Sequence, residues 1–165
     1  MRNDKLLETL SRKLEKEANN TPEVVMNNKF KQYKRELKNG LKEFIFEDTS
    51  NAIKGLMGPN KKGWVAGYTK YKYKMEDDTV EYLEIAIDYS EPYAVFSDYS
   101  ISVTCVSLIE DKGETYQSKI AYTFTSYDTI TDKITESTLT LDNFINTVND
   151  KLSDIEKRAI SKEEV

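Results

Sequence analysis

No histidine occurs in this chain, so the commonest general base and the commonest metal ligand are both missing. Serine–histidine and cysteine–histidine mechanisms are excluded, as are zinc sites of the usual kinds. The single cysteine, Cys105, cannot form an intrachain disulfide, which fits a reducing compartment. Arginine is scarce (Arg2, Arg12, Arg35 and Arg158) beside abundant Lys, Asn, Ile and Tyr. That bias resembles AT-rich coding, as in low-GC bacteria and their phages. No apolar run approaches the roughly 18 residues that a membrane span needs. The first eight residues carry charges with no apolar run behind them, so no signal peptide is expected. The expectation is a cytoplasmic protein with no membrane partner, no metal and no cofactor.

What is present describes a soluble folded chain. It is 38% hydrophobic and 32% charged, with a mean hydropathy of -0.66. That is too apolar and aromatic for disorder, and 165 residues suffice for one domain with a real core. The net charge of -5 makes direct nucleic-acid binding unlikely as a global property and favours a basic protein partner.

The most legible stretch runs over residues 99–126. A two-residue turn at Lys112-Gly113 pairs Ile109 with Tyr116, Cys105 with Ile120, Val103 with Tyr122 and Ile101 with Phe124 on one face. The other face receives Leu108/Gln117, Val106/Lys119, Thr104/Ala121 and Ser102/Thr123. This register sorts the large apolar residues onto one side, as a half-buried hairpin requires. An earlier hairpin pairs Tyr71 with Leu83 and Thr69 with Ile85 inside, and Lys70 with Glu84 and Lys72 with Tyr82 outside, about a three-residue loop.

The remaining elements surround these hairpins. Residues 1–20 read as a helical arm with a narrow stripe of Leu6, Leu10 and Leu14, which either docks shallowly or pairs with a second copy of itself, a homodimer through the N-terminal helix. Residues 21–58 read as helices, the first opened by Thr21-Pro22-Glu23 and carrying Met26, Phe30, Tyr33, Leu37 and Leu41. Gly40 marks its end or a bend, and residues 49–57 form a short further helix. Residues 63–141 read as an antiparallel sheet, broken near Pro92. Residues 142–160 read as a C-terminal helix, with Leu141, Ile145, Val148, Leu152, Ile155 and Ala159 on one stripe. The fold class is therefore α+β: one domain, 1–165, with an antiparallel meander of about five strands and helices packed on one face. A long helix across such a sheet resembles the helix-grip and cystatin-like architectures, without any shared motif.

Two groups of residues are candidates for function. Lys70, Lys72 and Lys74 form a row on the outer face, and Tyr93 and Phe96 sit where regular structure breaks; together they are the candidate partner-binding set. Lysines on an outer strand also serve simply to solvate it and to discourage edge pairing. Tyr71, Tyr73, Tyr116 and Tyr122, assigned to the inner face, are the candidate lining of a small-ligand pocket, or else ordinary core. The Gly58–Gly63 loop lacks the ending of a phosphate-binding loop, and the acids at 76–98 lack metal-ligand spacing. No catalytic residue is assigned. The leading expectation is a non-enzymatic, protein-binding inhibitor or adaptor of the kind mobile elements deploy against a host protein. The alternative is a small-ligand binder with a tyrosine-lined pocket between sheet and helices.

Overall fold

Thr21 and Thr140 start the two helices that cover the sheet. The computed structural model describes residues 2–19, 21–41, 44, 47–48, 65–92 and 97–163. Helix α1 spans Arg2–Asn19 and α2 spans Pro22–Gly40. The Thr21 side chain accepts from Val24 N at 3.4 Å, Pro22 fills the first helical position, and Glu23 lies in the first turn. Helix α3, Leu141–Arg158, is built alike: Thr140 accepts from Asn143 N at 3.2 Å, and Lys157 and Arg158 sit in its last turn. Both helices end where the next residue, Leu41 or Ala159, turns to extended backbone.

The strands are β1 (Glu47–Asp48), β2 (Val65–Met75), β3 (Val80–Ser90), β4 (Asp98–Asp111), β5 (Glu114–Asp128), β6 (Lys133–Glu136) and β7 (Ala159–Glu163). They form one antiparallel sheet in the order β1 to β6, with β7 pairing β2. The α+β class and the meander are as the sequence predicts. Two strands were not anticipated. The brief β1 joins β2 at Tyr68 and Gly67, and β7 takes the chain back to β2 where the expected helix would have run to residue 160. The expected helix over 49–57 lies outside the described residues. The last meander strand is shorter than expected, ending at Glu136.

The β2–β3 register is the predicted one throughout, including Lys70 opposite Glu84 and Tyr71 opposite Leu83. The turn joining β4 to β5 also forms as predicted, with Lys112 at φ 52° and Gly113 at φ 83°. Val106 faces Lys119 as expected, but a bulge then gives β5 one extra residue, Ile120. Beyond it Cys105 faces Ala121, Val103 faces Thr123 and Ile101 faces Thr125. The expected pairs Cys105/Ile120, Val103/Tyr122 and Ile101/Phe124, and on the other face Thr104/Ala121 and Ser102/Thr123, are corrected accordingly, Thr104 facing Tyr122 and Ser102 facing Phe124. One extra residue inverts the parity, so Tyr122 and Phe124 turn outward while Thr123 and Thr125 are buried.

The core lies between the inner sheet face and helices α2 and α3. Leu83, Ile85, Ile87, Ile101, Val103 and Cys105 from the strands meet Met26, Phe30 and Leu37 of α2 and Phe144, Val148, Leu152 and Ile155 of α3. Full burial of such a side chain is worth roughly 1.5–3 kcal/mol. The buried threonines are satisfied: Tyr33 and Thr125 hydroxyls lie 2.6 Å apart, and Thr123 donates to the Leu139 carbonyl at 2.6 Å. The helices meet where Asn149 Nδ2 donates to the Gly40 carbonyl at 2.9 Å.

Candidate functional site: the open outer face

With α2 and α3 both on the inner side, no helix among the described residues covers the opposite face of the sheet. Cross-strand pairing arranges it in rows. Lys72, Tyr82, Leu108 and Gln117 form one, Lys70, Glu84, Val106 and Lys119 the next, then Tyr68, Ala86, Thr104 and Tyr122. Most of these residues are half-buried or exposed. Tyr82 is the exception at 8% exposure, although it points away from the core. Its ring is covered by Lys70, whose ammonium sits 4.2 Å from the centroid, and by Lys72 at 5.7 Å. Its hydroxyl donates to Glu110 Oε2 at 3.1 Å. Burial and that carboxylate push the phenol above its ordinary pKa.

The lysine row is thus brought together but largely neutralised. Lys70 pairs with Glu84 at 3.4 Å and Lys72 with Glu163 at 3.1 Å, while Lys74 is exposed at the end of the row. The hydrogen bond that the Lys72 ammonium donates to Glu163 raises its pKa. An anion would have to displace these carboxylates, so the face suits a mixed polar and apolar contact rather than a phosphate backbone. Tyr122 is 37% exposed beside Phe124, with centroids 5.6 Å apart, and the Lys119 ammonium lies 4.2 Å over the Tyr122 ring. Tyr93 and Phe96 lie outside the described residues.

The four tyrosines assigned to a pocket do not converge. Tyr71 and Tyr73 are core residues at 3% and 2% exposure, the latter donating to Glu156 Oε1 at 3.1 Å. The bulge moves Tyr122 to the other face. Tyr116 holds its predicted place opposite Ile109, but beyond the cover of the helices, 55% exposed and bonded to Glu114 Oε2.

Glu81, one of the acids at 76–98 in which the sequence shows no metal-ligand spacing, has a structural role. Its carboxylate is buried on the inner face, bridged by Arg158 at 3.3 and 3.4 Å and by Lys151 at 3.7 Å. Its parity with Leu83, Ile85 and Ile87 was the available signal. Tyr89, stacked on Phe30 at 5.0 Å, has the one buried side-chain polar atom without a hydrogen-bond partner among the described residues. Burial raises its pKa, and the Glu91 carboxylate adds to this from nearby without an ordinary hydrogen bond. Burial likewise pushes the Cys105 thiol up to about 12, which leaves it unreactive near neutrality.

Among the described residues no group of three acids or cysteines could hold a metal ion, and no helix is long and apolar enough to cross a membrane. The chain matches no protein-family model, no curated protein and no solved structure.

Proposed function

We propose that this chain is a non-enzymatic protein-binding module, an inhibitor or adaptor that presents the outer face of its sheet to a host protein. The observation that carries the reading is the outward turn of Tyr122 and Phe124 onto the same sheet face as Leu108, Val106 and the lysine-capped Tyr82. Aromatic anchors with ion pairs around them are what a protein contact uses, the charges fixing register and the rings supplying area. The partner is basic overall, because the chain carries a net charge of -5 and would steer such a molecule toward it. A cytoplasmic setting fits the single buried thiol.

Helix α1 offers a second apolar surface, with Leu6, Leu7 and Leu10 exposed by 60%, 64% and 47%. It is one candidate seat for self-association. The small-ligand alternative has less support, since Tyr71 and Tyr73 are packed into core and Tyr116 and Tyr122 stand apart from them.

The test is affinity capture from candidate host extracts with the wild-type chain and a Tyr122→Asp/Leu108→Asp variant. Both positions face outward, so folding should survive the change. A basic protein held by the wild type and lost by the variant supports the reading. Equal retention by both, or no retained protein at any salt concentration, overturns it.

A further inference from the structure

A sheet edge carries main-chain donors and acceptors that only another extended backbone can satisfy in full. On one side of this sheet the edge is made by two short strands, β1 on β2 at residues 67–68 and β7 on β2 at 72–75. On the other side β6 covers β5 only at residues 125–128, and Ser137 bonds to Phe124. From Glu114 to Lys119 no strand among the described residues lies beyond β5, and every residue in that stretch is exposed.

The turn decides which groups point outward. Positive φ at both Lys112 and Gly113 makes it a two-residue type I′ turn, closed by the pair Asp111 and Glu114. Hydrogen-bonded pairs alternate from there, so Thr115, Gln117 and Lys119 direct their N–H and C=O groups away from β4. The edge protections here lie at its far end, in Lys119 and the bulge at Ile120. The stretch holds no proline, and Lys119 lays its ammonium over Tyr122 of its own strand instead of across the edge.

We propose that this edge pairs antiparallel with the same edge of a second copy, about a two-fold axis at Gln117. The regular part of the strand is bounded by the turn at Gly113 and the bulge at Ile120. Only a pairing centred on Gln117 brings all three outward residues of both copies into hydrogen-bonded positions: Gln117 with Gln117, and Thr115 with Lys119, twice. Charge agrees with this register. Glu110 faces Thr115 within its own sheet, so Lys119 of one copy lies two strands from Glu110 of the other, about 10 Å between Cα atoms and within side-chain reach. The two-fold repeats that ion pair. Tyr116 faces Ser118 of the second copy, whose small side chain leaves the ring room.

Helix α1 makes the weaker seat. Its 18 residues hold less than three heptads, short for a pair of helices that must hold one another. Pairing through β5 joins two sheets into one and doubles the outer face, yet the partner contact proposed above needs no dimer.

Sedimentation velocity on the full chain, over a roughly hundredfold range of concentration, tests the proposal. The mass should climb from 19.1 kDa toward twice that value as concentration rises. Gln117→Pro removes an N–H that the chain's own sheet does not use. It should weaken association at least tenfold, about 1.4 kcal/mol, while the urea midpoint, read at a concentration where both chains are monomeric, stays put. Lys119→Glu should weaken association as well, and adding Glu110→Lys should restore it. A single 19.1 kDa species at every concentration would overturn the proposal. So would a dimer indifferent to Gln117→Pro and the charge swap, or one lost only with Leu6→Ser/Leu10→Ser.

Discussion

Replacing Arg158 by Met should cost more than replacing Glu81 by Gln, although both changes break the same ion pair. Burial makes the difference. The Glu81 side chain is only 4% exposed, whereas Arg158 is 48% and Lys151 28% exposed. When Glu81 becomes Gln, the two cations regain water and an amide of the same shape remains, so the loss is about 0.5–1 kcal/mol, as for an exposed pair. When Arg158 becomes Met, a buried carboxylate keeps only Lys151 at 3.7 Å. Stranding such a charge entirely costs roughly 3–5 kcal/mol. The contacts to Arg158 are long for charge-assisted bonds, and Lys151 stays, so about 2 kcal/mol is expected. The Arg158–Asp154 pair at 3.0 Å adds a few tenths. Urea unfolding at constant slope reads both values, and the Arg158→Met melting point should fall by roughly 4–8 °C. An Arg158→Met/Lys151→Met double variant should lose about 3–5 kcal/mol, the full value for an unpaired buried charge. The reasoning fails if Glu81→Gln proves the more damaging single change.

Three further outcomes follow from the core. Tyr33→Phe strands the buried Thr125 hydroxyl and should cost about 1–2 kcal/mol, most of it recovered in a Tyr33→Phe/Thr125→Val double variant measured by urea unfolding. Gly40→Ala would place a Cβ 2.8 Å from Cγ2 of Ile145, a branched carbon with little freedom, so the usual helix gain of about 1 kcal/mol should turn into a net loss in melting temperature. Cys105 should resist thiol reagents at pH 8 until the chain unfolds. Because its folded pKa is raised from 9.0 to about 12, the stability it contributes is whole below pH 9 and fades as pH rises toward 12. Without histidine, stability should stay flat between about pH 6 and 8, which a series of pH-dependent melts would check.

Much of this fold is written in local patterns. Thr21-Pro22-Glu23 and the stripe from Leu141 to Ile155 specify α2 and α3 through capping and periodicity, and Lys112-Gly113 specifies its turn through positive φ. The errors arise where a tertiary contact outweighs a local preference. Nothing in residues 114–126 announces the bulge at Ile120, since aromatic Tyr122 and Phe124 look better suited to the interior than Thr123 and Thr125. The threonines go inside because Tyr33 and Leu139 supply partners for their hydroxyls. Strand β7 escapes the sequence pattern because Ala159–Glu163 is short and charged, and its place on β2 is marked by contacts distant in sequence, Lys72 with Glu163 and Lys162 with the Tyr71 ring. The lysine row was legible from alternation, its neutralisation only in part. The pocket reading inherited the mistaken parity of Tyr122.

Hydroxyl-radical footprinting of the tyrosines in the native chain reads that parity directly. The open outer face requires strong modification of Tyr116 and Tyr122, 55% and 37% exposed, and protection of Tyr71 and Tyr73 until the chain unfolds. Protection of Tyr122 alongside Tyr71 and Tyr73 would contradict the account, because it would return that ring to the inner face and take the anchor from the proposed partner surface.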